Sequence, residues 1–276
     1  MSAPSLRRLC PLTSCLGSNP LITSGLSKLR QVSTDLHAKL CLAGDMIGLI
    51  GSSATIAKAS SHLQSGLTFD RLSSLESACG TGMGINNLLD TGALFTQCLT
   101  GTMFYEVNGS GNFVVKTCVT QNEDGTTTIS HKRVLRSPLE ISSKVTRLAS
   151  KAIGSVCFAD SEFKIGKLGK HAKGLGGVGS SLSILSSVCG MADDAVNIAS
   201  AVRTKDATTA EAIATCRKTI REKVLSLICN FFDAVAEVVG LFGTFAPALL
   251  GPHALLIVGI FWLLSSAANF IQDFIG

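Results

Sequence analysis

Apolar and polar positions along this chain repeat mainly with helical period. Leu29, Val32, Leu36, Leu40 and Ala43 step by three and four, with Lys28, Arg30, Asp35 and Lys39 between them. A second apolar run, Met46 to Leu67, carries Gly48, Gly51, Ser52 and Ser53. A third, Phe69 to Cys79, ends at "CGTGMGINN", which predicts a helix stop and a new start. The next helix is expected over about Asn87 to Phe104. In "SPLEISSKVTRLASKAIGSVCF", Ser137 caps a helix with Pro138 at its first position and Glu140 at its third.

One stretch alternates with period two. Val115, Thr117 and Val119 precede the turn signal "NEDG", and Thr127, Ile129 and His131 follow it. This pattern predicts a β-hairpin, inserted between two helical halves because a lone hairpin is marginal. The expected class is therefore mainly α: a helical bundle with a small β-hairpin insertion and a C-terminal hydrophobic helical hairpin. Five regions are read: a Ser/Thr-rich leader (1–26), a helical region (27–106), the hairpin insertion (107–136), a second helical region (137–215) and a basic helix with a two-lobed apolar segment (216–276).

That last segment carries the strongest signal. Arg217, Lys218, Arg221 and Lys223 precede a run in which His253 is the one ionisable side chain between Val238 and Gln272. Pro247, Gly251 and Pro252 divide the run in two. The second lobe, from His253 through Trp262 to Ile271, is about the length of a bilayer crossing, which takes about 20 apolar residues. The first lobe contains Asp233 and Glu237, and a charge at mid-bilayer costs roughly 3 kcal/mol. It spans from Val235 to Leu250 or lies flat with those carboxylates toward water. The basic cluster would hold both ends of this helical hairpin on the cytosolic side and face anionic lipid. A hairpin buried in a soluble helical core is the competing arrangement.

Composition narrows the classes. Only 16% of the 276 residues are charged, with Ser, Thr and Gly making up the deficit. Such a chain solvates a large surface poorly, which favours a bilayer, an oligomer or a partner over a lone soluble monomer. The formal net charge of +5 is mild and forms no basic stripe with aromatics, so nucleic acid is not an expected partner. Arg7 and Arg8 are followed by Pro11, Ser14, Gly17, Asn19 and Pro20, which interrupt any secretory apolar core. The ten cysteines include no C-x-x-C pair and read as buried free thiols.

Candidate chemistry is thin. Gly174, Gly176 and Gly179 spell G-x-G-x-x-G, but a dinucleotide site needs an apolar strand ahead of it. Here Lys164, Lys167, Lys170 and Lys173 recur every three residues, as on a solvated helix face or loop. Gly176 and Ser180, four apart, are instead expected to let helices approach closely. No phosphate-binding loop occurs, and His37, His62, His131, His171 and His253 lie in no recognisable catalytic or metal-binding motif. No catalytic residue, cofactor, metal or small-molecule substrate is expected, and no enzyme.

The leader, the small-residue helical body with "ASKAIGSVCF", and the two-lobed "VLSLICNFFDAVAEVVGLFGTFAPALLGPHALLIVGIFWLLSSAANFI" together resemble the chlamydial inclusion membrane proteins. The resemblance implies type III secretion with Met1 to about Leu21 as an uncleaved leader. It also implies insertion into the membrane of the vacuole that holds the bacterium, where the helical body meets host cytosolic proteins or further copies of itself. One departure is that the body here is long relative to the apolar part, which leaves open a soluble secreted effector. The family supplies no catalytic residues.

Overall fold

Small side chains let long helices form without interruption, and the helices are longer than the sequence pattern suggests. The computed structural model describes residues 20–60, 66–121, 127–203 and 210–275. Helix α1 runs Pro20–Ser60 and α2 runs Leu67–Thr100. Strands β1 (Val115–Gln121) and β2 (Thr127–Arg133) follow, then α3 (Pro138–Glu162) and α4 (Ala172–Arg203). Helix α5 runs Ala210–Phe245, a short α6 covers Pro247–Leu250, and α7 closes the chain at Ala254–Ile275.

The break expected at "CGTGMGINN" is absent. Helix α1 passes through Gly48 and Gly51, and α2 passes through Gly80, Gly82 and Gly84. Glycine in a helix interior costs about 1 kcal/mol relative to alanine, too little to end a helix whose neighbours need the space. Gly84 faces the Phe158 ring of α3 and Gly48 faces Ser266 of α7, both closer than any Cβ could come. Helix α2 ends instead at Gly101, in the left-handed conformation at φ 83°, where its N–H bonds to the Cys98 carbonyl. The leader reading is cut short too, because residues 20–26 are already helical; residues 1–19, with Cys10 and Cys15, lie outside the described residues.

Other expectations are met. Ser137 Oγ accepts from the Glu140 N–H at 3.0 Å, with Pro138 in the first turn of α3. The hairpin is antiparallel and pairs Val115 with Arg133, Thr117 with His131 and Val119 with Ile129; the "NEDG" turn lies outside the described residues. Its base is fastened to α1: Arg30 stacks over the Phe113 ring at 4.0 Å and donates to the Thr100 carbonyl at 3.2 Å.

Among the described residues, six long helices form a closed ring. Helix α1 packs on α2, α2 on α3, α3 on α4, α4 on α5, α5 on α7, and α7 returns to α1. The C-terminal helix pair is therefore one part of a larger wall. Each helix has an outer face and an inner face, and the two are inverted relative to a water-soluble bundle. Among the described residues, the buried apolar set is Ala54, Ala93, Leu94, Met103, Cys229, Ala234 and Ala236. The buried polar set is twice as large and includes Asn86, Asp90, Gln97, Ser155, Ser186, Asp193, Asp194, Ser265 and Ser266. Large apolar side chains point outward from every wall: Ile50, Leu89, Val156, Val188, Phe231 and Leu264 are all exposed. Soluble cores rarely bury carboxylates while leaving Leu, Ile and Phe outside on all sides.

Candidate functional site: a polar lumen

The ring surrounds a partly open cavity of about 720 Å³. All six helices line it, with Asp45, Asn87, Lys151, Ser183, Glu237 and Trp262 among the lining residues. Helical period places these groups on one face of each helix. In α3, Lys144, Arg147 and Lys151 are spaced three and four apart, and the last two reach the cavity.

Charges inside are partly paired. Asp90 of α2, with 0% exposure, meets His37 Nδ1 of α1 and lies 3.3 Å from Lys151 Nζ of α3. Lys151 also donates to Asn87 Oδ1 at 2.7 Å, so three helices are tied at one level. Cys41, one turn after His37, has its Sγ 3.9 Å from both ring nitrogens. Nearer one end, Lys58 pairs with Glu76 at 2.5 Å, and Thr55 donates to the same carboxylate at 2.9 Å. Asp233 of α5 accepts from Ser265 Oγ at 2.5 Å and from Asn269 at 2.7 Å, both on α7. Arg147 lies among Cys41, Asp45, Asp90 and Asp233 and makes no hydrogen bond or ion pair to any described residue.

Several sequence-derived positions are moved by this geometry. Asp233 and Glu237 face neither lipid nor open water, since both line the lumen, Glu237 beside the Ser180 and Ser183 hydroxyls. The first apolar lobe, read as Val235 to Leu250, falls within the longer helix α5 and the short α6 that follows it. Val235 lies deep within α5, and Leu250 and His253 fall in the break between α5 and α7. Pro247 and Gly251 impose that break, Gly251 at φ 67°. Trp262 belongs to α7 as expected but lines the lumen, whereas Ile271 is exposed. Arg217, Lys218 and Arg221 are exposed at the start of α5; Lys223 is not free for lipid, because it turns inward to Asp194 at 3.0 Å.

Close helix contact also shifts by one position. A Cβ on Gly176 would meet nothing within 4 Å, since Gly176 and Ser180 both face the lumen. A Cβ would come within 2.8 Å of the Phe245 ring at Gly177 and within 3.3 Å of Ile153 at Gly179, so these are the positions where neighbouring helices approach closely. The G-x-G-x-x-G lies within and at the start of α4, after a single turn of tight helix at Gly169–His171, so no strand delivers it to a phosphate. The cysteine expectation holds for Cys229, which is buried; Cys118 is exposed and the other described cysteines are half-buried.

The cluster of His37, Cys41, Asp90 and Lys151 was not legible as a motif. Its one local trace is the i, i+4 spacing of His37 and Cys41, and the remaining partners come from two other helices. Among the described residues, four helices are long and apolar enough to cross a membrane: α1, α4, α5 and α7, over Thr23–Ser60, Gly169–Arg203, Ile213–Phe245 and Ala254–Asp273. Fold and site together define a mainly α, inside-out six-helix ring with a charged lumen. No family model, curated protein or solved structure matches the chain.

Proposed function

We propose that this chain is an integral membrane protein whose six-helix ring crosses the bilayer and surrounds the polar lumen. The inverted burial carries the reading: apolar side chains face outward on every wall, and Asp90, Ser265 and Ser266 face inward. In hydrocarbon, helices satisfy their own backbone groups, and ionisable side chains turn to the bundle interior or a wet cavity. Helices α2 and α3 fit the same scheme, because Glu76, Asn87, Arg147 and Lys151 all line or border the lumen. The membrane portion is then wider than a C-terminal anchor, and the exposed hairpin and basic start of α5 are left for partners outside the bilayer.

The resemblance to inclusion membrane proteins supports the finer reading: export from the bacterium and residence in the vacuole membrane, with Arg217, Lys218 and Arg221 on the cytosolic side. The size of the lumen lies in the range of small-molecule sites, so the interior has room for a polar solute. Membranes from cells producing the full chain, washed with alkaline carbonate and floated on a density gradient, should retain it. Release into the supernatant as a soluble oligomer would instead support a bundle that covers its apolar exterior by self-association.

A further inference from the structure

We propose that His37, Cys41 and Asp90 form a binding site for a zinc-type divalent metal ion, open to the lumen on the Cys41 side. Three observations carry this. First, one nitrogen, one sulfur and one carboxylate oxygen converge from two helices, with the three donor atoms within 4.8 Å of one another. His37 and Cys41 are four apart on α1 and so share a face, while Asp90 is presented by α2. Tetrahedral zinc with bonds of roughly 2.1 Å to nitrogen and 2.3 Å to sulfur holds those two atoms about 3.6 Å apart. The Cys41 sulfur lies 3.9 Å from both His37 ring nitrogens, near that separation, and the imidazole turns to bring one nitrogen's lone pair and the sulfur onto a shared ion.

Second, Asp90 Oδ2 is fully enclosed and receives no hydrogen bond from any described residue. Buried carboxylate oxygens are normally hydrogen-bonded; here Oδ1 meets His37 Nδ1, while Oδ2 has the Lys151 ammonium in reach but no hydrogen bond, which leaves the carboxylate acceptor capacity for an ion. Lys151 Nζ, 3.3 Å away, is the counter-charge in the metal-free form. It keeps its bond to Asn87 Oδ1 at 2.7 Å and can lean toward that partner when an ion takes its place.

Third, the donor set discriminates between metals. Thiolate and imidazole favour zinc and its transition-metal neighbours over magnesium and calcium, which take oxygen ligands. Three protein ligands leave one position for water, the arrangement of an open site. That position faces the lumen, because Cys41 lines the cavity and Asp90 does not. Binding needs no oxidant or reductant. The ion replaces the proton between His37 and Asp90 and the thiol proton of Cys41, the His37–Asp90 contact opens around it, and both protons leave to water.

Cobalt(II) is the direct probe. Full chain purified in detergent and titrated with cobalt(II) should develop thiolate-to-cobalt charge-transfer absorption and the strong visible bands of a tetrahedral site. Zinc should bleach both, and Cys41→Ser should lose the charge-transfer band while keeping its helicity. The same band in Cys41→Ser would assign it to another cysteine and overturn the proposal. A second readout needs no variant: stoichiometric zinc should protect Cys41 from alkylation, scored on its peptide by mass spectrometry. Unchanged alkylation of Cys41 at saturating zinc would overturn it equally.

Discussion

Asp90→Ala is expected to destabilise the folded ring by roughly 3–5 kcal/mol, the largest effect of any single polar substitution inside the ring. Asp90 is fully enclosed and is the shared partner of His37 and Lys151. Removing it leaves an ammonium and an imidazole facing each other with no acid between them. Burying an unpaired charge costs far more than a paired one returns, so truncating one member is the severe change. Asp90→Asn keeps the volume and an acceptor and should cost clearly less. Thermal unfolding of the detergent-solubilised chain, followed by helical circular dichroism, measures both. A loss below about 1 kcal/mol for Asp90→Ala would mean that water already reaches the group.

Gly84→Leu should be the most damaging apolar substitution, and Gly176→Leu nearly silent. Any side chain at Gly84 must occupy the space of the Phe158 ring, which itself packs between α2 and α3. Overpacking of this kind costs typically 1–3 kcal/mol and more where the neighbour cannot turn away. At Gly176 an added Cβ meets nothing within 4 Å and the side chain extends toward the lumen, while helix propensity improves by up to about 1 kcal/mol. The pair distinguishes glycines that seal the wall from glycines that only line the cavity. Equal damage at both positions would contradict a hollow interior beside α4.

The contrast also shows what the sequence could and could not reveal. Helix content, the hairpin and its pairing, and the Ser137 cap were legible because each depends on neighbours within a few residues. The continuity of α2 through Gly80, Gly82 and Gly84 was not, because the reason for those glycines is Phe158, more than seventy positions away. Asp233 and Glu237 looked like defects in a membrane lobe. They become intelligible only when α4 and α7 close around them and supply Ser180, Ser183, Ser265 and Asn269. The lumen site was hidden for the same reason: His37, Asp90 and Lys151 come from three helices and share no spacing. Periodicity marked which side chains share a face, but a weakly contrasted small-residue helix does not declare which face is inside. The inversion appears once the ring is closed.

The central claim is that the ring lies in the bilayer with its polar face enclosed, and Trp262 tests it most directly. It is the only tryptophan in the chain, it belongs to the most apolar helix, and it lines the lumen. In floated vesicles reconstituted with the full chain, its fluorescence should resist quenching by lipids brominated along the acyl chain and yield to a small aqueous quencher. Strong quenching by the brominated lipids, with protection from the aqueous one, would place Trp262 against the hydrocarbon and contradict an enclosed lumen.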